Sequence, residues 1–327
     1  MDIPSRERKS GKMIKKWTFV ALLLIVLGGA GMAVEGFKFG DDYPAYTQRW
    51  EFDNQELKNL LIDSDYSLDV EFAPGTSNTN VVEISGNMDQ KSIDRLKSIQ
   101  LQDHTLNLEL KERMSRLFNI SFQNQTQHMK VSLSDPAALE QFKAVLNSSN
   151  GTFSAVEARQ GEISADSGNI KLTNSRVDDL KLSTHSGSIR GSQHTGSSLH
   201  VATVSGNISF EDYSSDTIIE GRSGNIRAEQ MQGTMTVSNK SGDVTVEEWK
   251  GDGTFKLSSG NLRIEDQRSN NLDITVGSGD AKISEDPEFR GFYDLKAKSG
   301  DVSAPEAPQQ TKDVIKIRTS SGDIKID

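Results

Sequence analysis

From residue 151 onward, apolar and polar positions alternate in short runs, and the runs return at a nearly fixed interval. Ser-Gly followed by Asn, Asp or Ser marks each return, with glycines at Gly168, Gly187, Gly206, Gly224, Gly242, Gly260, Gly279, Gly300 and Gly322. Two residues after each glycine stands Ile170, Ile189, Ile208, Ile226, Val244, Leu262, Ala281, Val302 or Ile324. Four after it comes a second, mostly apolar column, from Leu172 to Ile326, and five before it a third, from Ile163 to Ile317. The residues between the first two columns, such as Lys171, Arg190, Arg227 and Arg263, are polar. Period two is the strand signature, so each unit predicts strand, tight turn, strand and a more variable return.

One such unit cannot bury its apolar face alone. Stacked at about 4.8 Å per coil, nine units of 18–22 residues align those faces into internal ladders and make a rod on the order of 40 Å long. The expected fold is therefore all-β, a parallel β-solenoid over 151–327. Glycine suits the corner because it takes up left-handed backbone without steric cost, and Asn or Asp beside it bonds nearby backbone. The serines would stack their hydroxyls as a polar ladder. Tyr213, Met231 and Trp249 share the position seven after the glycine, where corner packing competes with sugar stacking. Spacing lengthens in the last two units, through Glu285-Asp286-Pro287 and Pro305 to Gln310, which reads as loops projecting on one edge.

Residues 51–150 alternate less regularly and read as an α+β cap with degenerate coils. A short helix is expected over Gln90 to Ser98. A second is expected from Asp135-Pro136, with Leu139, Phe142, Val145 and Leu146 at helical spacing. At the other end the sequence stops at Ile324-Lys325-Ile326-Asp327, directly after the ninth corner. That predicts an uncovered last coil, open to association with a second copy.

Thr18 to Val34 is an uncharged apolar run of seventeen residues behind Lys15-Lys16-Trp17, long enough to span a bilayer as a helix. The basic flank places residues 1–17 in the cytoplasm and residues 35–327 outside, with 35–50 as a linker. Gly31-Met32-Ala33 is also an acceptable cleavage site, so a signal peptide is the competing reading. Residues 1–34 hold six basic and two acidic side chains, which leaves 31 basic and 45 acidic groups, a formal −14, on the rest. Such acidity disfavours nucleic acid and anionic lipid as partners. With 34% hydrophobic residues, 27 glycines and no cysteine, the chain suits a thin repetitive core and excludes disulfides, thiolate metal sites and a cysteine nucleophile.

Candidate chemistry is sparse. The five histidines (His104, His128, His185, His194, His200) form no metal-ligand pair at helical spacing and read as surface residues. No nucleophile elbow or phosphate-cradling loop occurs. Nine near-identical serines argue for structure, because a nucleophile has to be made different from its neighbours. Asp243, Asp280, Asp301 and Asp323, each following a corner glycine, are the weak candidates for a calcium site, with Asn261 interrupting them. No cofactor and no catalytic residue is expected.

The Ser-Gly-[Asn/Asp]-[Ile/Val] coils, the N-terminal anchor and the entry Leu60-Leu61-Ile62-Asp63-Ser64-Asp65-Tyr66-Ser67-Leu68-Asp69-Val70 resemble the β-strand-repeat "putative adhesin" family, a domain of unknown function, and within it LiaG-like proteins of Gram-positive bacteria. The resemblance covers residues 50–327. It implies a membrane-anchored surface protein in the cell-envelope stress response, and it brings no catalytic motif. The leading expectation is a non-catalytic adhesin-like or scaffold module contacting envelope proteins or a wall polymer. A regulatory partner of a membrane sensor and a carbohydrate-active β-helix enzyme are the alternatives.

Overall fold

The computed structural model describes residues 43–75, 78–111, 126–135 and 139–327. The apolar run 18–34 lies outside them; among the described residues no helix is long and apolar enough to cross a membrane. The described chain is a parallel β-solenoid of about ten turns. Its first strands are β1 (Ala45–Asp53), β2 (Asn59–Ser64), β3 (Ser67–Pro74) and β4 (Thr79–Asn87). Helix α1 (Gln90–Ser98) follows, then β5 (Thr105–Leu110), β6 (Thr126–Leu133), β7 (Gln141–Leu146), β8 (Gly151–Ser154) and β9 (Glu157–Ala165). Three long strands, β10 (Ile170–Ser186), β11 (Ile189–Ser205) and β12 (Ile208–Ser223), each wrap most of a coil. The later coils are split into β13 (Ile226–Gln232), β14 (Met235–Ser241), β15 (Val244–Glu247), β16 (Gly253–Ser259), β17 (Leu262–Glu265), β18 (Asn271–Ser278) and β19 (Ala281–Ile283). The last are β20 (Phe292–Ala297), β21 (Val302–Ser303), β22 (Val314–Ser321) and β23 (Ile324–Ile326).

Register follows the sequence repeat. Ile170 lies beside Ile189, Ile189 beside Ile208, and the row continues through Ile226, Val244, Leu262 and Ala281. All seven are buried, while the outward Lys171, Arg190, Arg227 and Arg263 are exposed. Each coil thus adds one layer of aliphatic side chains to a common interior. At about 2 kcal/mol per fully buried side chain, the layers hold only as a stack.

Two recurring corners shape each coil. At the Ser-Gly corner, consecutive coils touch backbone to backbone: a Cβ on Gly242 would lie 2.3 Å from the Gly224 carbonyl oxygen, and Gly242 has φ +121°. Glycine is required there both by that approach and by its dihedral. The second corner uses no glycine. Asn174, Gln193, Asp212, Gln230, Glu248 and Asp266 hold φ between 48° and 59°, one per coil. Those residue types include the ones that visit left-handed backbone at least cost.

The described residues between 51 and 150 join the same stack. Asp89 caps α1 by accepting from the Lys91 and Ser92 amides, and Ile93 and Leu96 are buried beneath the helix. The helix expected after Asp135 is absent: Gln141–Leu146 is β7, paired in parallel with β2 and β9. Phe142, Ala144 and Leu146 are buried and alternate with half-buried neighbours, so the period is two. Phe142 and Leu146 also fit a helical spacing, and the neighbouring sheet decides between the two.

Both ends depart from sequence order. At the start, β2 lies between β5 and β7, and β3 between β6 and β8, so the first coil is an inner one. At the finish, β22 lies between β18 and β20, and β23 between β19 and β21. The expected uncovered Ile324–Ile326 coil is therefore an inner layer, with Ile324 and Ile326 buried. The terminal layer is Phe292–Ser303. The lengthened segments around Asp286 and Pro305 carry the chain past one level and back, rather than projecting as loops.

Candidate functional site

Each sequence candidate has a definite place in the stack. The nine corner serines are exposed, and among the described residues no hydrogen bond links their hydroxyls into a ladder. Their backbone does the linking, as where Gly224 N–H donates to the Ser241 carbonyl at 3.0 Å.

The residue after the glycine forms a real side-chain ladder. Asp243 N–H donates to Asn225 Oδ1 (3.0 Å), Asn261 N–H to Asp243 Oδ1 (2.8 Å) and Asp280 N–H to Asn261 Oδ1 (3.0 Å). Asp323 N–H then donates to Asp280 Oδ1 and Asp301 N–H to Asp323 Oδ1, both at 2.8 Å. Asn and Asp interchange here because each supplies one acceptor oxygen to the next coil. Exchange of the last two coils makes Asp280, Asp323 and Asp301 neighbours, so Asn261 separates only Asp243 from the others. No group of three or more His, Asp or Glu able to hold a metal occurs among the described residues. Asp243, Asp280 and Asp323 each accept from the backbone of the next coil, and Asp301 ends the row as a donor.

The column seven after the glycine is a buried corner filling. Tyr213, Met231 and Trp249 are each 1% exposed, and Trp249 Nε1 donates to the Gly233 carbonyl at 3.0 Å. Sugar stacking on these rings is excluded by their burial. His194 belongs to this column and is not a surface histidine. It is 2% exposed, its ring centroid lies 5.1 Å from that of Tyr213, and Ser175 Oγ sits 2.9 Å from its Nδ1. Nε2 has no hydrogen-bond partner. Burial pushes its pKa down to about 4, against the opposing contact with Ser175. Its place beside Tyr213 in the repeat was the signal that could have found it. The other candidates stay near the surface: His128 Nδ1 lies 3.3 Å from Asp69, and His104 Nδ1 lies 3.0 Å from the Glu56 carbonyl.

Two faces of the stack carry charge differently. After the glycine corner, the later coils match their cations along and across coils: Arg227 bonds Glu229 and Glu247, Arg263 bonds Glu265, and Lys282 lies 3.4 Å from Asp327. Lys171 and Arg190 of earlier coils form no salt bridge among the described residues. On the long side before the corner, Lys181, Arg222, Lys240 and Lys256 are exposed, and none forms a salt bridge among the described residues. Arg222 and Lys240 flank a shallow groove of about 600 Å³ that also touches Ser183, His185, Ser238 and one carboxylate, Glu220, which lies 3.5 Å from His200. Ile218, 46% exposed, stands on the same side beside His200. Sequence analysis missed this face, because net acidity averages over sides that only the coil geometry separates.

With the geometry in view, a family model described as Toastrack DUF4097 matches residues 57–247 and again 216–327. The chain belongs to the Toastrack DUF4097 family. No curated protein matches it. Solved structures similar to this Toastrack chain include a "putative lipid binding protein" of Parabacteroides distasonis, at 12% identity and TM-score 0.43, covering 86% of this chain and 96% of that one. A "putative adhesin" of the same organism is 12% identical with TM-score 0.40, covering 86% and 97%. A "putative adhesin" of Parabacteroides merdae is 15% identical with TM-score 0.38, covering 88% and 98%.

Proposed function

We propose that this chain is a non-catalytic surface module, held to the membrane through residues 18–34, whose long side binds an anionic polymer of the cell envelope. The observation that carries this is the group of unmatched cations, Lys181, Arg222, Lys240 and Lys256, on an outer region of formal charge −14. On the neighbouring side Arg227, Arg263 and Lys282 are neutralised by carboxylates. Arg222 and Lys240 stand level on adjacent coils about 4.8 Å apart, with Lys181 and Lys256 further along the same side, a spread that suits repeated weak contacts with a chain better than one pocket. Hydroxyls such as Ser183 and Ser238 add donors for anionic oxygens.

The test uses the full chain in nanodiscs of zwitterionic lipid, with fluorescent polyphosphate as probe and neutral dextran as control. Binding to polyphosphate should weaken steeply with added salt. Changing Lys181, Arg222, Lys240 and Lys256 together to Gln should remove it, while Arg227→Gln with Arg263→Gln should leave it within about threefold. Equal loss in both variants, or no binding at low salt, contradicts the proposal. The sensor-partner reading rests on the family resemblance, and would show as altered envelope-stress signalling when residues 1–34 are deleted.

A further inference from the structure

The terminal layer of the stack is built to meet a copy of itself. β20 pairs with β22 on one edge, and its other edge has no strand partner among the described residues. Its inward residues Tyr293, Leu295 and Ala297 are only half-buried, whereas the inward residues of inner coils are covered on both sides. The exposed large hydrophobic residues of the described chain are Ile218, Phe292 and Val302, and the last two lie on this layer at 41% and 47%. An open strand edge beside an incomplete apolar layer is a template for pairing.

The charges of β20 choose the partner and the register. The outward residues of β20 run Phe292, Asp294, Lys296, and Lys298 follows just past its end. In an antiparallel pair of two copies centred on Leu295, Asp294 of each copy stands opposite Lys296 of the other, and Tyr293 opposite Ala297. Centring on Asp294 opposes two aspartates, and centring on Lys296 opposes two lysines, both of which are unfavourable across a strand pair. Only the Leu295 centre sets Asp294 against Lys296 at both places while keeping apolar side chains on one face; Phe292 then stands opposite Lys298. Arg318 bonds Asp294 from β22 and so holds that carboxylate on the outward face. We propose that two copies of this chain associate end to end through β20, by an isologous antiparallel pairing centred on Leu295.

The chain has no cysteine, so introduced ones report without background. Residue 295 faces its own copy at roughly 5 Å between Cβ atoms, a little beyond the ~4.5 Å of a relaxed disulfide, a gap that small shifts of an edge strand close. In the full chain under mild oxidation and dilute conditions, Leu295→Cys should give at least tenfold more disulfide-linked dimer than Lys171→Cys, on another side of the stack. Mixing Asp294→Cys with Lys296→Cys, both exposed, should give more mixed dimer than either form gives alone, which reads the register without touching the interior. Added to Leu295→Cys, either Lys296→Asp or Asp294→Lys should abolish dimer, and mixing the two should restore it. Equal linkage at 295 and 171, no linkage at 295, or indifference to the charge changes overturns the proposal. Polyphosphate binding is read separately, so failure of the pairing and failure of the polymer reading are distinguishable.

Discussion

The two ends of the stack solve one problem in opposite ways. At the first end, the outermost layer of the long side is β5, and α1 lies against it with Ile93 and Leu96 buried. The antiparallel pair β1–β4 adds Trp50 and Phe52, each 8% exposed, and Trp50 Nε1 donates to the Ile99 carbonyl at 3.1 Å. That end is closed by a change of secondary structure and of strand direction. The far end continues the repeat to its last layer, with parallel β20 and half-buried Tyr293 and Leu295; Phe289 stacks on Tyr293 at 5.3 Å as partial cover. A repeat propagates itself, and only a sequence that breaks the repeat can end it.

The largest effect that sharpens this contrast is a methyl group at the corner. Gly242→Ala should cost about 4 kcal/mol or more, because its Cβ overlaps the Gly224 carbonyl between layers fixed on both sides. Gly300→Ala meets the Gly322 carbonyl at the same 2.3 Å, but its layer is free to shift outward, so denaturant unfolding should show a smaller loss. Equal losses would mean that the Phe292–Ser303 layer is as confined as an inner one.

Leucine truncation compares the ends directly. Leu96→Ala at the closed end should cost about 3 kcal/mol in chemical denaturation, the usual price of a buried leucine. Leu295→Ala should cost about 1 kcal/mol, since half of its surface contact is already missing.

Between the ends, acid offers a handle through a buried imidazole. With a folded pKa near 4 against about 6.5 unfolded, His194 is neutral in its corner, and its contribution is complete above about pH 6.5. As pH falls from 7 to 4 the unfolded chain takes up the proton first, so about 3 kcal/mol should be lost. His194→Met, which repeats the Met231 solution two coils on, should flatten that dependence in thermal melts across the same range. The smallest effect is expected at Asp243→Asn: the acceptor for the Asn261 amide is kept, and melting should change little with or without calcium chelator.

The repeat made the coil, its inward columns and its glycine corner legible, because each needs a residue type with one physical use. The non-glycine second corner escaped notice because Asn174, Gln193 and Glu248 share no single residue type, only the backbone conformation. β7 read as a helix because Phe142 and Leu146 satisfy both periods, and pairing with β2, some eighty residues away in sequence, is a tertiary fact. The layer order at either end was hidden for a related reason. Nothing local in Val314–Ile326 distinguishes an inner coil from a last one; only the longer connections near Asp286 and Pro305 hint that the chain has room to skip a level.

The exchanged order at the open end is the claim from which the terminal edge, the aspartate neighbours and the pairing proposal all follow. Native-state amide hydrogen exchange on the full chain tests it most directly. In chain diluted until it is monomeric, amides of Val314–Ser321 and Ile324–Ile326 should exchange as slowly as those of Asn271–Ser278, with Phe292–Ser303 the fastest of these layers. Fast exchange at Ile324–Ile326 beside slow exchange at Phe292–Ala297 would contradict it.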